Sequence, residues 1–326
     1  MARNEDLTME NMEQHIRELT ERIVEDYGKG RYIDKTNAFN CPDKDAVVDI
    51  LKKLQRIIFP GFFKSKEYRY YTVENSTSTI VEDVLFNLTK QVNIALRYSP
   101  DFENTDCDQV ARRAQDISMA FLERIPAIRA FIETDLQAEF DGDPAAYNKD
   151  EIIFSYPGFY AIMVYRIAHE LVLMKVPMLP RIMTEYAHSL TGIDINPGAT
   201  IGKYFFIDHG TGIVIGETTL IGDNVKVYQG VTLGALSTRK GQLLKGVKRH
   251  PTIEDNVTIY SGASILGGDT VIGKGAVIGA NAFITSSVAA GAKVSIKNQE
   301  LRVNFDDGKK PVQKELDQDK NWFYVI

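Results

Sequence analysis

An aspartate and a histidine stand side by side, Asp208 and His209, in the mostly apolar and glycine-rich run FFIDHGTGIVIGET from Phe205 to Thr218. A histidine there can take a proton near neutral pH if a carboxylate receives its other ring N–H and sets the tautomer. Asp194, fifteen residues earlier in GIDINPGATIG, is the carboxylate the spacing offers. Such a pairing makes His209 a general base, worth typically ~10²–10⁴ in rate. A second group is cationic. From Ala235 to His250 the chain carries Arg239, Lys240, Lys245, Lys248 and Arg249 and no acid, although its formal net charge is −6. Such a stretch is either a solvated basic loop or a local patch for a carboxylate or phosphate ligand.

The elements that must position these residues have two different periods. Up to about Leu190 apolar residues recur three and four apart with few glycines, the pattern of amphipathic helices punctuated by Pro60, Pro100, Pro126 and Pro157. His169 and His188 lie in such helices without a second ligand four residues away, and a structural role is expected of both. After Gly192 the aliphatic residues return every six: Ile195, Ile201, Ile207, then Ile215, Ile221, Val227, Leu233, then Ile253, Ile259, Ile265, then Ile272, Ile278, Ile284. A period of six suits a parallel β-helix, with three hexads per triangular coil and the aliphatic side chains stacked inside. In such a coil residues about eighteen apart stack, which brings Asp194 and His209 into one neighbourhood.

The hexads break in three places, and the breaks carry the chemistry. The step from Ile207 to Ile215 is eight and contains Asp208 and His209. The step from Leu233 to Ile253 is twenty and contains the basic excursion, which returns through Arg249, His250 and Pro251. The step from Ile265 to Ile272 has one extra residue, a corner bulge.

GIDINPGATIG, FFIDHGTGIVIGETTLIGDNV, GVTLGAL and KRHPTIEDNVTIYSGASILGG together resemble the serine O-acetyltransferases, left-handed β-helix acyltransferases of the hexapeptide-repeat class. The likeness continues upstream into DGDPAA and YPGFYAIMVYRIAHEL. It implies an α+β architecture, with helices over residues 1–190, a left-handed parallel β-helix over 191–290 and a tail over 291–326. It implies acetyl transfer from acetyl-CoA to the hydroxyl of L-serine in cysteine synthesis, by direct attack and without a covalent enzyme. His209 matches the base and Asp194 its partner. Asp143, Asp208, Arg249 and His250 match the residues that hold the amino acid, the acids at the ammonium and Arg249 at the carboxylate. His250 would come from a neighbouring subunit of a trimer, and two trimers would form a hexamer, a free trimer being the alternative. Gly234, Ala235, Ser261 and Ala280 match the edge along which the coenzyme lies. Ala235 stands where the family usually has a second glycine, and AKVSIKNQELRVN replaces its GxPA segment. L-cysteine is the expected inhibitor, and the polar tail ending in Ile326 either folds back on its own trimer or offers a carboxylate to O-acetylserine sulfhydrylase.

Composition narrows the alternatives. A chain of 326 residues, 44% hydrophobic and 25% charged, with no long apolar run, reads as a cytoplasmic globular protein without a membrane span. Its negative charge argues against nucleic-acid binding. Cys41 and Cys107 form no CxxC pair and are expected as buried thiols. No metal is implied, because only His209 and His250 fall in the repeat region and a catalytic zinc normally takes three protein ligands. Homoserine or a sugar as acceptor, and a non-enzymatic scaffold, are the rival readings.

Overall fold

The computed structural model describes residues 9–34, 41–63, 72–237, 239 and 241–296, so Lys240 and Ile326 lie outside the described residues. The chain divides into two compact units, Met1–Cys41 and Pro42–Ile326. In the first, α1 (Met9–Tyr27) carries an exposed apolar stripe of Met12, Ile16, Leu19 and Ile23. In its last turn Asp26 pairs with Lys29 and Arg31, which follow the helix.

The second unit begins with α2 (Lys44–Ile58), whose N-cap Asp43 accepts the backbone N–H groups of Asp45 and Ala46. Then come α3 (Val73–Leu96), α4 (Cys107–Glu123), α5 (Ile125–Gly142), α6 (Lys149–Ser155), α7 (Pro157–Leu173) and α8 (Leu179–Thr191). Pro126 and Pro157 sit in the first turns of α5 and α7, where a missing N–H costs nothing. Gly192, in the left-handed conformation at φ +70°, ends α8 and turns the chain into the coil. Cys107 opens α4 at the surface and is exposed, and Cys41 is only half-buried, so neither is the buried thiol expected. His169 Nδ1–H donates to the Pro197 carbonyl (2.8 Å) and its ring stacks on Tyr165, whereas His188 sits beside Glu185.

From Asp194 the chain winds as a parallel β-helix of two- and three-residue strands on three faces. The first face holds β1 (Asp194–Ile195), β4 (Val214–Ile215), β7 (Thr232–Gly234), β10 (Ser264–Leu266) and β13 (Phe283–Ile284). The second holds β2 (Thr200–Ile201), β5 (Leu220–Ile221), β8 (Thr252–Ile253) and β11 (Val271–Ile272). The third holds β3 (Phe206–Asp208), β6 (Lys226–Tyr228), β9 (Thr258–Ile259), β12 (Val277–Ile278) and β14 (Lys293–Val294). All thirteen hexad aliphatics are at most 8% exposed, each stacked on its counterpart in the next coil. Burial at that level is worth roughly 1.5–3 kcal/mol per side chain, which is why the register survives coils of unequal length. Asp194 pairs with Val214, Val214 with Thr232, Leu220 with Thr252 and Thr252 with Val271. The extra residues therefore leave at corners and never shift the stacked positions.

The first coil presents unpaired strand edges, which a buried end must satisfy. Helices α5 and α7 do so. Arg166 donates to the Ile201 and Gly202 carbonyls, and its guanidinium takes both oxygens of Asp135 at 2.9 and 3.0 Å. Asp135 in turn accepts the Phe205 N–H, and the Tyr165 hydroxyl bridges the Ala199 carbonyl and the Ile201 N–H. Gly158 lets α7 approach closely, since a Cβ there would lie 2.7 Å from the Ile207 carbonyl oxygen. This contact fixes β3, the strand that ends in Asp208.

Candidate active site

His209 follows β3 at the corner between the third and first faces. Its backbone is left-handed, at φ +56°, a conformation a non-glycine residue adopts at a cost of order 1–2 kcal/mol. The turn projects the imidazole outward, leaving the side chain 58% exposed. Gly210 and Gly212, both at φ +82°, complete the corner. The two residues that lengthen this hexad thus form the turn that presents His209.

Two acids flank it. Asp208 Oδ1 lies 3.6 Å from His209 Nε2. Asp143 caps the end of α5, where its Oδ1 accepts the Ala145 N–H and its Oδ2 accepts the Tyr156 hydroxyl at 2.5 Å. Burial pushes the Asp208 carboxyl up, the charge of Asp143 adds to that, and the His209 charge and backbone N–H oppose it. The Tyr156 phenol is raised by its burial and by its bond to Asp143. A carboxylate whose charge is disfavoured by burial and by a neighbouring acid invites a cation, and an ammonium is the natural one.

The same corner continues down the coil. Thr211 accepts from Gly230, Gln229 from Gly262, and Ser261 from Asn281. Ser261 and Ala280 therefore line the edge that carries His209, both half-buried. Asp194 lies beside the top of this corner, through the Gly212 N–H bond to the Gly192 carbonyl. Its Oδ1 accepts from Arg181 at 3.2 Å, within a group that includes Glu185 and His188, and it is not hydrogen-bonded to His209.

Arg249 and His250 occupy a different corner, between the first and second faces, with Gly234 and Ala235 where the excursion leaves. Arg249 Nη2 meets Glu217 Oε2 at 2.5 Å and Nη1 meets the Leu244 carbonyl at 3.3 Å. His250 is 8% exposed and its ring packs over Gly216, where a Cβ would come within 2.0 Å of it. The Thr218 N–H donates to His250 Nδ1 at 3.0 Å. Burial, aided by Arg249 and Lys248 and opposed by Glu217, brings the ring's pKa down to about 4. At neutral pH His250 is a neutral ring with its proton on Nε2.

One chain therefore gathers Asp143, Asp208, His209, Ser261 and Ala280 at one corner and Gly234, Ala235, Arg249 and His250 at another. Sequence reasoning missed Thr218 and Glu217, which close the very run that contains His209, and Tyr156, which opens the run after DGDPAA. It also missed Glu139, one helical turn before Asp143. Polar residues a turn away or at a strand end were the available signal.

No family model matches the chain. A curated relative, the plasmid-encoded serine acetyltransferase of Synechococcus elongatus, is 42% identical over 276 residues, 83% of this chain and 86% of the relative. The chain belongs to the serine acetyltransferase family. The serine acetyltransferase of Bacillus subtilis is 50% identical over 128 residues, 39% of this chain and 56% of that relative. Among solved structures, Entamoeba histolytica serine acetyltransferase 1 in complex with L-cysteine is 35% identical with a TM-score of 0.65, covering 88% of this chain and all of that one. Within this serine acetyltransferase fold, among the described residues, no helix is long and apolar enough to cross a membrane.

Proposed function

We infer that the chain transfers the acetyl group of acetyl-CoA to the hydroxyl of L-serine, giving O-acetyl-L-serine and CoA. The observation that carries this reading is the corner at which an outward-turned His209 meets the acid pair Asp208 and Asp143, in a chain of this family. His209 takes the serine hydroxyl proton as the oxygen attacks the thioester carbonyl. The tetrahedral intermediate collapses, the C–S bond breaks, and the imidazolium returns the proton to the CoA sulfur. Asp194 is assigned the tautomer-setting role that the family resemblance implies. Asp143 and Asp208 hold the ammonium, and Arg249 with the His250 Nε2–H holds the carboxylate.

Because Arg249 and His250 occupy another corner of the same chain, the site is completed by a neighbouring copy in a trimer, and trimers pair into a hexamer. The coenzyme lies along Gly234, Ala235, Ser261 and Ala280, and no metal takes part. L-Cysteine, which has the same ammonium and carboxylate as serine, competes for the amino-acid subsite. The acetyl-CoA donor fits a cytoplasmic reaction. Ile326 is assigned to O-acetylserine sulfhydrylase binding, which removal of the last residues would abolish.

The test is CoA release from acetyl-CoA with L-serine, homoserine or a galactoside as acceptor, for wild type and His209→Asn. Serine-dependent turnover that falls ~10²-fold or more in the variant supports the reading. Turnover with another acceptor alone overturns the substrate, and no turnover with any overturns the activity. Co-assembled His209→Asn and His250→Asn chains regain turnover that neither has alone if the site is shared between copies.

A further inference from the structure

Below the two acids of the corner lies a third that no step above uses. Glu139 stands in α5 four residues before the C-cap Asp143 and is 1% exposed. Its Oε1 accepts the backbone N–H of Ile207 at 3.2 Å, immediately before Asp208 and His209. Its Oε2 is buried with no hydrogen-bond partner among the described residues. A buried ionised carboxyl with one N–H for two oxygens is costly, whereas the neutral acid needs one acceptor bond and offers one O–H.

The groups around it point the same way. On its own helix Glu139 faces Asp135, already bound to Arg166 of α7, and Asp143, bound to the Tyr156 hydroxyl; from β3 it faces Asp208, beside His209. Burial raises the Glu139 carboxyl well above the usual range, the three aspartates add to this, and only the Ile207 N–H opposes. Its charge accordingly does not bear on Asp208, whose own shift comes from burial and Asp143.

We propose that Glu139 is a positioning residue of the ammonium subsite: its buried Oε1 accepts the Ile207 N–H and so holds the strand that carries Asp208 and His209 where an ammonium can meet them. This rests on the serine-binding role assigned to Asp143 and Asp208.

Two variants separate the possibilities. Glu139→Gln keeps a carbonyl acceptor and a donor without a titrating proton, and Glu139→Leu keeps the volume and removes both. The readouts are KM for L-serine, KM for acetyl-CoA, and the pH profile of kcat/KM for serine. Glu139→Gln is expected within about threefold of wild type with a superimposable profile, since hydrogen bonding rather than charge is retained. Glu139→Leu is expected to raise the serine KM about tenfold with the acetyl-CoA KM unchanged. A serine KM unmoved in Glu139→Leu, or both KM values rising together, overturns the proposal. So does a Glu139→Gln profile whose acid limb is displaced, which also decides the matter if Glu139→Leu fails to fold. Absence of serine turnover in the wild type overturns the functional reading itself, a result distinct from any pattern among the variants.

Discussion

Thr218 holds His250 across the basic excursion. The Thr218 backbone N–H donates to His250 Nδ1 at 3.0 Å, and the Thr218 hydroxyl oxygen accepts the N–H groups of Arg249 and His250 at 2.9 and 3.1 Å. One residue thereby fixes the backbone that returns from the excursion and the tautomer of the ring that it delivers. Thr218→Val keeps the shape and the backbone N–H but strands two donors. We expect its serine KM to rise about tenfold, as for the loss of a partly buried hydrogen-bond acceptor, with the acetyl-CoA KM nearly unchanged. Steady-state kinetics in both substrates checks this.

His250 also shapes stability against pH. Its folded pKa is about 4, below the ordinary histidine value of 6.5, so between these limits the unfolded chain binds the extra proton. Stability therefore rises with pH across that window and is lost as pH falls through it, by at most about 1.4 kcal/mol per unit. Urea unfolding midpoints from pH 4 to 7 should fall less steeply toward acid in His250→Gln than in wild type. Glu139 acts with the opposite sign, because its raised carboxyl keeps a proton in the folded state that the unfolded chain releases.

Ammonium binding needs Asp208 ionised, and burial has raised that carboxyl above its ordinary 3.8. The kcat/KM for serine should fall on the acid side at a higher pH than an unperturbed aspartate would give. Asp208→Asn should lower kcat/KM for serine about 10- to 100-fold, the scale of a lost hydrogen bond to a charged group. It should also remove the contribution of Asp208 to that limb. A profile of kcat/KM against pH for both proteins reads the two effects together.

Asp194 is bound by Arg181 in this chain, yet it is the carboxylate assigned to orient His209. Asp194→Asn should lower kcat about 10²-fold with little change in serine KM, because an amide cannot stabilise the imidazolium. A lowered melting temperature with kcat unchanged would confine Asp194 to bracing α8.

The coil was legible because its pattern is redundant: Ile195, Ile215, Leu233, Ile265 and Ile284 repeat one requirement at one position of successive turns. Each break in the hexads became a corner excursion, since expelling a residue at a corner leaves the buried stack intact. Asp208 and His209 were legible for the same reason. Glu139 and Thr218 were not, because an acid on an amphipathic helix and a threonine beside a strand look like surface residues until the partner is in place. The expected burial of Cys107 failed likewise, since a helix start can lie at the surface whatever the residue's average preference.

By itself, then, the sequence determined the solenoid, the positions at which it is interrupted and the residue types placed there, because hydrophobic periodicity is a local property written along the chain. Only the tertiary structure decided that Asp143, at the end of α5, lies close enough for its charge to act on Asp208, that Glu139 is sealed against β3, and that His250 is a neutral donor held by Thr218. Those facts depend on burial and on distances between residues far apart in sequence, and the energies of charges and hydrogen bonds depend on both.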